Sequence, residues 1–513
     1  MPDMTDQHTQ NELNFADFQP VTGALPKSVH MIGIGGAGMS GVARLLLARG
    51  VAVSGSDMKE SRAIIGLRAM GAVIEIGHVA DNVRLLGEDP EAVVVSFAAI
   101  PKTNPELAVA HERGIPVLKR SDLLAMLLQD QQAVLIAGTH GKTSTTSMTV
   151  AALQAAGLDP SFAVGGLMSK VGVNAHQGTG DVFVAEADES DASLLTYQPH
   201  VAVVTNIEPD HLDFFGTEEK YVEVFDEFAR RIDSNGTLIV CADDERAAKL
   251  GIRASAAGTK VLAYGSPEAA ERYPDLPFGA TLLGWQPYGG GARVSATVDQ
   301  TTVHFELKQP GRHMALNAVA SLLAGFCVGG DLERMARGLG EFTGVRRRFD
   351  YHGMTGAGAF QGIRVYDDYA HHPTEVRAVL GAARELVDSA GRGRVVAVFQ
   401  PHLYSRTEKF ATEFADALAL ADQVIVMDVF GAREEPIAGV DGNLLVELIQ
   451  QRHADTPAVF EPHFAATPDR VVEVAEPFDV VLTIGAGSVT MLADELLREL
   501  DYASQRADDG ENS

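Results

Sequence analysis

Cysteine is close to absent from the chain: there are two in 513 residues, Cys241 and Cys327. One widely separated pair supports neither a disulfide framework nor a compact zinc knuckle. Each is read as a small buried hydrophobe in a protein of the reducing cytoplasm. Long apolar runs are missing too. Nothing approaches the roughly 18 residues that a membrane-spanning helix needs. Met1–Pro20 has neither the basic start nor the apolar stretch of a secretory signal. Positive charge is scarce: 41 Lys and Arg against 69 Asp and Glu leave a formal charge of −28. That excludes general binding to nucleic acid or to an anionic membrane surface, and no membrane insertion is expected. It does not exclude small anionic ligands, which local basic groups, helix N-termini and metal ions can hold. An acidic protein that binds polyphosphates is expected to use Mg²⁺.

What is present is an ordinary globular composition, 46% hydrophobic and 21% charged. The length suggests about three domains at roughly 100–200 residues each. Three segments show strand–helix alternation, the pattern of parallel sheets covered by helices. In the first, strands are expected at Val29–Ile34, Val51–Ser54 and Ala92–Ser96. In the second they are expected at Ala133–Ala137, Val182–Ala185, Val201–Val204 and Thr237–Cys241, with a meander inserted over Phe278–Leu307 before a helix at Met314–Phe326. In the third they are expected at Val395–Phe399, Val424–Met427 and Val480–Ile484. The expected division is a flexible tail over 1–27, domains over 28–129, 130–342 and 343–502, and a flexible acidic tail over 503–513.

Two glycine loops carry the first chemical signals. Gly33, Gly35, Gly36, Ala37, Gly38, Met39 and Ser40 follow a strand and should open a helix, where backbone N–H groups can approach a diphosphate. Asp57 follows 19 residues after Gly38, at the place of a ribose-binding acid. At this loop NAD and a UDP-sugar are equally good ligands, and a tight turn without a ligand is the plain alternative. The second loop is Gly138-Thr139-His140-Gly141-Lys142-Thr143-Ser144. Backbone N–H groups there would wrap the phosphates of a nucleotide, Lys142 would add charge at the β/γ oxygens, and Thr143 would offer a hydroxyl to Mg²⁺. The strict phosphate-loop pattern places glycine where this chain has Ile136, so the loop is a shortened variant.

Further polar groups gather at strand ends, which in a parallel sheet converge on one crevice. Glu186 and, next, His211 are the candidate metal ligands. Asp188, Glu189 and Asp191 are either functional or a solvated acidic turn that caps the next helix. In the third segment Asp367, Asp368, His371 and His372 lie between a strand and a helix start, and Arg406 follows another strand end. Arg346-Arg347-Arg348 is either a solvated hinge or a group that reaches the nucleotide.

Taken in order, Gly33–Gly41, Gly138–Ser144, Glu186–Asp191, Thr205–His211, Gly311-Arg312-His313 with Asn317, Asp368–Pro373 and His402–Arg406 resemble the Mur ligases over about Ser28 to Asp501. Within that family the chain is similar to the members that add L-alanine. The resemblance implies an α/β chain of three domains, each on a mainly parallel sheet: an N-terminal Rossmann-like UDP-binding domain, a central phosphate-loop ATPase domain and a C-terminal Rossmann-like domain. It implies ATP-dependent addition of L-alanine to the carboxylate of UDP-N-acetylmuramate through an acyl phosphate, with ATP and two Mg²⁺ ions, and leaves a homodimer open. By the same resemblance Lys142 contacts phosphate, Thr143 and Glu186 hold one Mg²⁺ and His211 the second. Asn317 reads adenine, Asp368 binds ribose, and Arg348 and Arg406 contact phosphate or substrate. His371 is the candidate proton acceptor for the amine. Departures from the family pattern are Met314 and Leu403, and Phe225 where later-acting members carry a carbamylated lysine. Rival readings are a recycling ligase that adds a tripeptide, a nicotinamide dehydrogenase and a nucleotide-sensing switch.

Overall fold

The computed structural model describes residues 15, 18–96, 100–169, 172–432 and 434–511. Its first sheet has the strand order Val73–Ile76, Ala52–Asp57, Ser28–Ile32, Ala92–Val95, Val117–Lys119, all parallel. Winding reverses between Ser28–Ile32 and Ala92–Val95, and such a switch opens a crevice at the strands' carboxyl ends. The first glycine loop lies in it. The strand expected to reach Ile34 stops at Ile32 because Gly33 takes a φ of +75°, and the N–H groups of Gly33 and Ile34 both donate to Ser56 O.

The second sheet is ten-stranded. Gln132–Ala137 runs parallel between Val182–Glu186 and Val201–Val204, so the second glycine loop, Glu186 and the Thr205–His211 segment leave the sheet side by side. The expected meander is the antiparallel end of this same sheet, formed by Phe278–Tyr288, Gly291–Val298 and Thr301–Leu307. In Thr301–Leu307 inward and outward residues alternate, as a strand with one covered face requires. Helix Leu332–Glu341 covers that strand, and helix Arg312–Cys327, expected from Met314, packs on Phe278–Tyr288 and Gly291–Val298.

The third sheet runs Asp350–Met354, Arg364–Asp368, Val480–Ile484, Val395–Phe399, Gln423–Val426, Ala458–Phe460, with only the first strand antiparallel to its neighbour. The connection into it is sharply bent. Arg347 and Phe349 both have left-handed backbones, with φ of +63° and +48°. Arg347 Nη2 donates to Gly485 O at 2.7 Å and Phe349 N–H to Asp368 Oδ2 at 2.7 Å, which hold the bend.

The described parts of both expected tails pack against the protein. Leu492, Leu496, Leu500 and Ser504, four residues apart, are all buried on one helical stripe, so the helix Leu492–Glu511 runs through most of the expected tail. At the other end Phe15 is buried, Val21 N–H donates to Thr196 O at 3.1 Å and Arg231 Nη2 to Phe18 O at 2.7 Å. The rest of the expected N-terminal tail, 1–14 with 16 and 17, lies outside the described residues.

Candidate active site

The second glycine loop, the candidate phosphate loop, is built on two left-handed glycines, Gly138 with φ +122° and Gly141 with φ +85°. A Cβ on Gly138 would stand 2.3 Å from Thr205 Oγ1, so that position needs glycine for space as well as for its backbone. Gly141 opens the helix Lys142–Ala155, and Asn317 packs beneath it, with a Gly141 Cβ falling 3.0 Å from Asn317 Oδ1. Asn317 therefore sits against the loop, 7% exposed. Thr145 and Thr149 are buried in this helix, and the Thr149 hydroxyl is satisfied by donating to Thr145 O. Lys142 Nζ donates to Gly138 O at 2.7 Å, Thr139 O at 3.1 Å and Glu189 Oε1 at 2.8 Å.

Around Lys142 stand three acids. Thr143 Oγ1 donates to Glu186 Oε2 at 3.1 Å, and Gly165 N–H donates to Glu186 Oε1 at 2.6 Å. Burial pushes the Glu186 carboxyl up. Burial also lifts Glu189 to about 7, against the pull of Lys142. Asp188, despite its burial, is held below the usual range by Lys142, then Ser190 and Arg120. Of the two readings of this acidic run, the solvated turn is wrong for Glu189, which is 1% exposed.

In the first loop, Gly35 N–H donates to Asp57 Oδ2 at 2.9 Å, so Asp57 braces the turn as well as facing the crevice. The Ser40 hydroxyl donates to Ala37 O at 3.1 Å, and Met39 is buried. A cavity of about 250 Å³ runs from Ala37 and Gly38 past Arg120 and Asn174 to Glu186 and Asp188. It joins the mouth of the first loop to the acids at the end of the strand Val182–Glu186.

The third domain closes the other side. His211, with φ +52°, donates its N–H to Asp210 Oδ1 at 2.8 Å, and Arg406 Nη2 reaches the same carboxylate at 3.4 Å. His371 Nδ1 lies 3.1 Å from Tyr369 O, leaving Nε2 as the acceptor when Nδ1 carries the proton. Burial, with the charge of Arg406, lowers His371 to about 4, so the imidazole is neutral at neutral pH. Asp368 accepts N–H from Phe349 and from Ala370, each at 2.7 Å, and burial lifts it to about 6 although Arg348 opposes this. Arg348 lies 5.3 Å from the Tyr369 ring centroid, and its charge bears on Glu186 and Asp368.

Family models match in sequence order: "Mur ligase family, catalytic domain" at 28–132, "Mur ligase middle domain" at 136–325 and "Mur ligase, glutamate ligase domain" at 347–487. A UDP-N-acetylmuramate–L-alanine ligase of Nocardia farcinica is 53% identical over 92% of this chain and 95% of its own length. One of Mycolicibacterium vanbaalenii is 54% identical, covering 92% and 96%. The chain belongs to the Mur ligase family. Among solved structures, the UDP-N-acetylmuramate-alanine ligase of Thermotoga maritima superposes with a TM-score of 0.74 at 28% identity, covering 93% of this chain and 99% of that one. The murein peptide ligase of Psychrobacter arcticus, at 22% identity and a TM-score of 0.63 over 92% and 98%, shares the fold.

For a Mur ligase the acids beside Lys142 fit a hard divalent cation. Glu189 Oε2 is buried without a hydrogen-bond partner among the described residues, and one ammonium faces Glu186, Asp188 and Glu189. The departures have visible settings. Met314 Sδ lies 3.9 Å from Asn317 Nδ2. Leu403 holds a φ of +70°, unusual for a branched side chain, at the start of the helix Tyr404–Lys409 that carries Arg406. Sequence reading missed Arg120, Asn174, Glu208 and Glu375. Arg120 alone had a signal, a basic pair at a helix start. The others act through contacts between segments 68 to 235 residues apart, or 137 apart for Asn174 and Ala37.

Proposed function

We propose that this Mur ligase joins L-alanine to the carboxylate of UDP-N-acetylmuramate at the expense of ATP, in peptidoglycan precursor synthesis. The observation that carries the reading is the cavity shared by Gly38 of the first loop and Glu186, whose carboxylate accepts the Thr143 hydroxyl of the second loop. A UDP group seated on the helix N-terminus after Gly36 projects its sugar acid along that cavity toward a γ-phosphate held at Lys142. The near-full-length likeness to L-alanine ligases supports L-alanine over a tripeptide. The dehydrogenase reading leaves the second loop and Glu186 without a role. Two free cysteines and no helix, among the described residues, long and apolar enough to cross a membrane agree with a cytoplasmic enzyme.

In the reaction the muramate carboxylate attacks the γ-phosphorus in line, giving an acyl phosphate and ADP. The amine then adds to the acyl carbon and phosphate leaves. Backbone N–H groups of Gly138–Ser144 wrap the triphosphate, and Lys142 exchanges a loop carbonyl for a phosphate oxygen, offsetting charge as it spreads over the transferring group. Thr143 and Glu186 would hold one Mg²⁺ and His211 a second, and Mg²⁺ there supplies Lewis-acid stabilisation of the phosphoryl oxygens. Asn317, Arg348 and Asp368 fall to the nucleotide. Arg406 falls to the alanine carboxylate, with Asp210 as its resting partner. Neutral His371 is the nearby proton acceptor, weakened by its low basicity. Phosphate release with UDP-N-acetylmuramate and each amino acid in turn tests the assignment, with L-alanine expected to lead. Oxygen-18 in the muramate carboxylate should appear in the released phosphate; label kept wholly in the amide would exclude the acyl phosphate.

A further inference from the structure

His140, the third residue of the phosphate loop, turns its imidazole away from the loop and into the C-terminal domain. Its Nε2 lies 2.8 Å from Glu208 Oε2 and its Nδ1 lies 3.1 Å from Glu375 Oε1. Glu208 comes from the central domain's Thr205–His211 segment. Glu375 comes from the first turn of the C-terminal domain's helix Pro373–Ala390. A neutral imidazole has a single N–H and cannot donate to both carboxylates; an imidazolium can. Burial alone would depress His140, but hydrogen bonds to Glu208 and Glu375 outweigh it and raise the group to about 9.

The carboxylates are anchored from behind. Glu208 Oε1 accepts from Thr374 Oγ1 at 2.8 Å, a second bond across the domain boundary. Glu375 Oε2 accepts the N–H groups of His371 at 3.0 Å and His372 at 3.3 Å. The backbone of His140 is fixed as well: its N–H donates to Asn206 Oδ1 at 2.9 Å, and its carbonyl accepts from Thr205 Oγ1 at 2.6 Å and Asn206 Nδ2 at 2.9 Å. Two further histidines face the same carboxylates, His371 Nδ1 at 3.3 Å from Glu375 Oε2 and His372 Nδ1 at 3.9 Å from Glu208 Oε2, and the charge of Arg348 acts on Glu375. Lys142 faces Glu189, Asp210 faces Arg406, and the His372 ring lies 5.1 Å from that of His140 and is held toward its neutral form by burial and by His140. His140, Glu208 and His372 also bring three ligand atoms within 4.8 Å of one another. A metal there would have to displace the proton that both carboxylates stabilise.

We propose that His140 is a positioning residue whose imidazolium docks the C-terminal domain on the phosphate loop, registering the domain that delivers the amine against the site where the acyl phosphate forms. The consequence for turnover rests on the ligase reading; the docking itself does not. Without the imidazolium, Glu208 and Glu375 face each other as like charges across the boundary. Since the domains are covalently linked, the effect is a shift toward undocked arrangements rather than dissociation.

The test is small-angle scattering of the ligand-free full chain, paired with steady-state kinetics. His140→Ala is expected to enlarge the radius of gyration and to lower kcat roughly tenfold or more, with the KM for ATP nearly unchanged. His140→Arg, a permanent cation with several donors, should restore compactness. The pH profile has a definite sign. His140 is raised above its unpaired value, so docking is complete below about 6.5 and is lost as pH rises through about 9. Wild type should therefore expand between pH 8 and 10 while His140→Arg stays compact. If His140→Ala fails to fold, Glu375→Gln removes the charge from the other side and is expected to expand too. A compact His140→Ala or Glu375→Gln protein would overturn the proposal, as would expansion with no fall in kcat. A rise in KM for ATP alone would make His140 a nucleotide contact and nothing more. Were the ligase reading itself wrong, wild type would show no turnover and the scattering would still decide the docking.

Discussion

Lys142 spends all three of its N–H donors inside the protein, on two loop carbonyls and Glu189. It is therefore a structural cation whatever it does for the proposed reaction, and removing it should have two separable consequences. Lys142→Met should lower turnover on the order of 10²–10³, the usual cost of one preorganised stabilising donor. It should also destabilise the fold, by up to about 3–5 kcal/mol, because a buried acid loses its partner. Glu189 is lifted to about 7 already, so protonation will absorb part of that cost near neutral pH. Adding Glu189→Gln to Lys142→Met should recover the melting temperature and none of the activity. Recovery of activity in the double variant would take Lys142 out of the mechanism. Asp57 is a similar case, since Gly35 N–H donates to it. Asp57→Ala should weaken UDP-sugar binding by about 1–3 kcal/mol, the cost of a lost buried hydrogen bond. Calorimetry should find ATP affinity nearly unchanged, because the nucleotide loop belongs to another sheet.

At the scale of elements, the helix Glu218–Arg230 shows why a sequence departure matters. Phe225 stands where later-acting Mur ligases carry a carbamylated lysine; here it is fully buried, its ring centroid 5.5 Å from that of Tyr221. Tyr221 in turn hydrogen-bonds Thr139 of the phosphate loop at 2.7 Å. The helix thus supports the loop by packing, and at Phe225 it offers no oxygen to a cation. Lys220 is paired with Glu223 at 2.8 Å. Activity should be the same in CO₂-purged and bicarbonate-supplemented buffer, even at mildly acidic pH where carbamates decompose. A loss on purging that bicarbonate reverses would contradict this account. Elements of this kind were legible in the sequence where apolar runs were long and ended in glycine, as at Gln132–Ala137 with Gly138. Val73–Ile76, Val117–Lys119 and Ser161–Ala163 were not. They are three or four residues long and lie toward sheet edges; the first two are half-exposed or carry a charge, and Ser161–Ala163 is too short to show a period. The candidate site was legible residue by residue for the two loops, Glu186 and Arg406. The pairing of His140 with Glu208 and Glu375 was not, because nothing local marks a contact between residues 235 apart.

At the scale of the whole molecule, three sheets bring their strand ends to one region, and on the proposed reading the boundary between the first two carries the acid substrate. The cavity there is about 250 Å³ and is lined on the N-terminal side by Gly38, Gly41 and Arg120 and on the central side by Gly165, Glu186 and Asp188. A carboxylate travelling along it toward the γ-phosphate meets acids at the far end and needs a cation on the way. Arg120, at the start of the helix Arg120–Leu128 and lining this cavity, is the cation placed to serve that reading. A Cβ on Gly38 would fall 3.0 Å from its Cδ, so it lies against the mouth of the first loop, and its charge helps to keep Asp188 ionised across the boundary. Arg120→Ala should therefore raise the KM for UDP-N-acetylmuramate on the order of tenfold or more, as loss of a charge-assisted hydrogen bond worth about 1.5–3 kcal/mol implies. The KM values for ATP and L-alanine, which the proposed reading seats on the far side of Glu186, should move little. Arg120→Lys should recover only part of the loss, since a point charge replaces a planar fork. If Arg120→Ala instead raised all three KM values together, the residue would be holding the domain boundary rather than the substrate, and the path of the acid through this cavity would have to be redrawn.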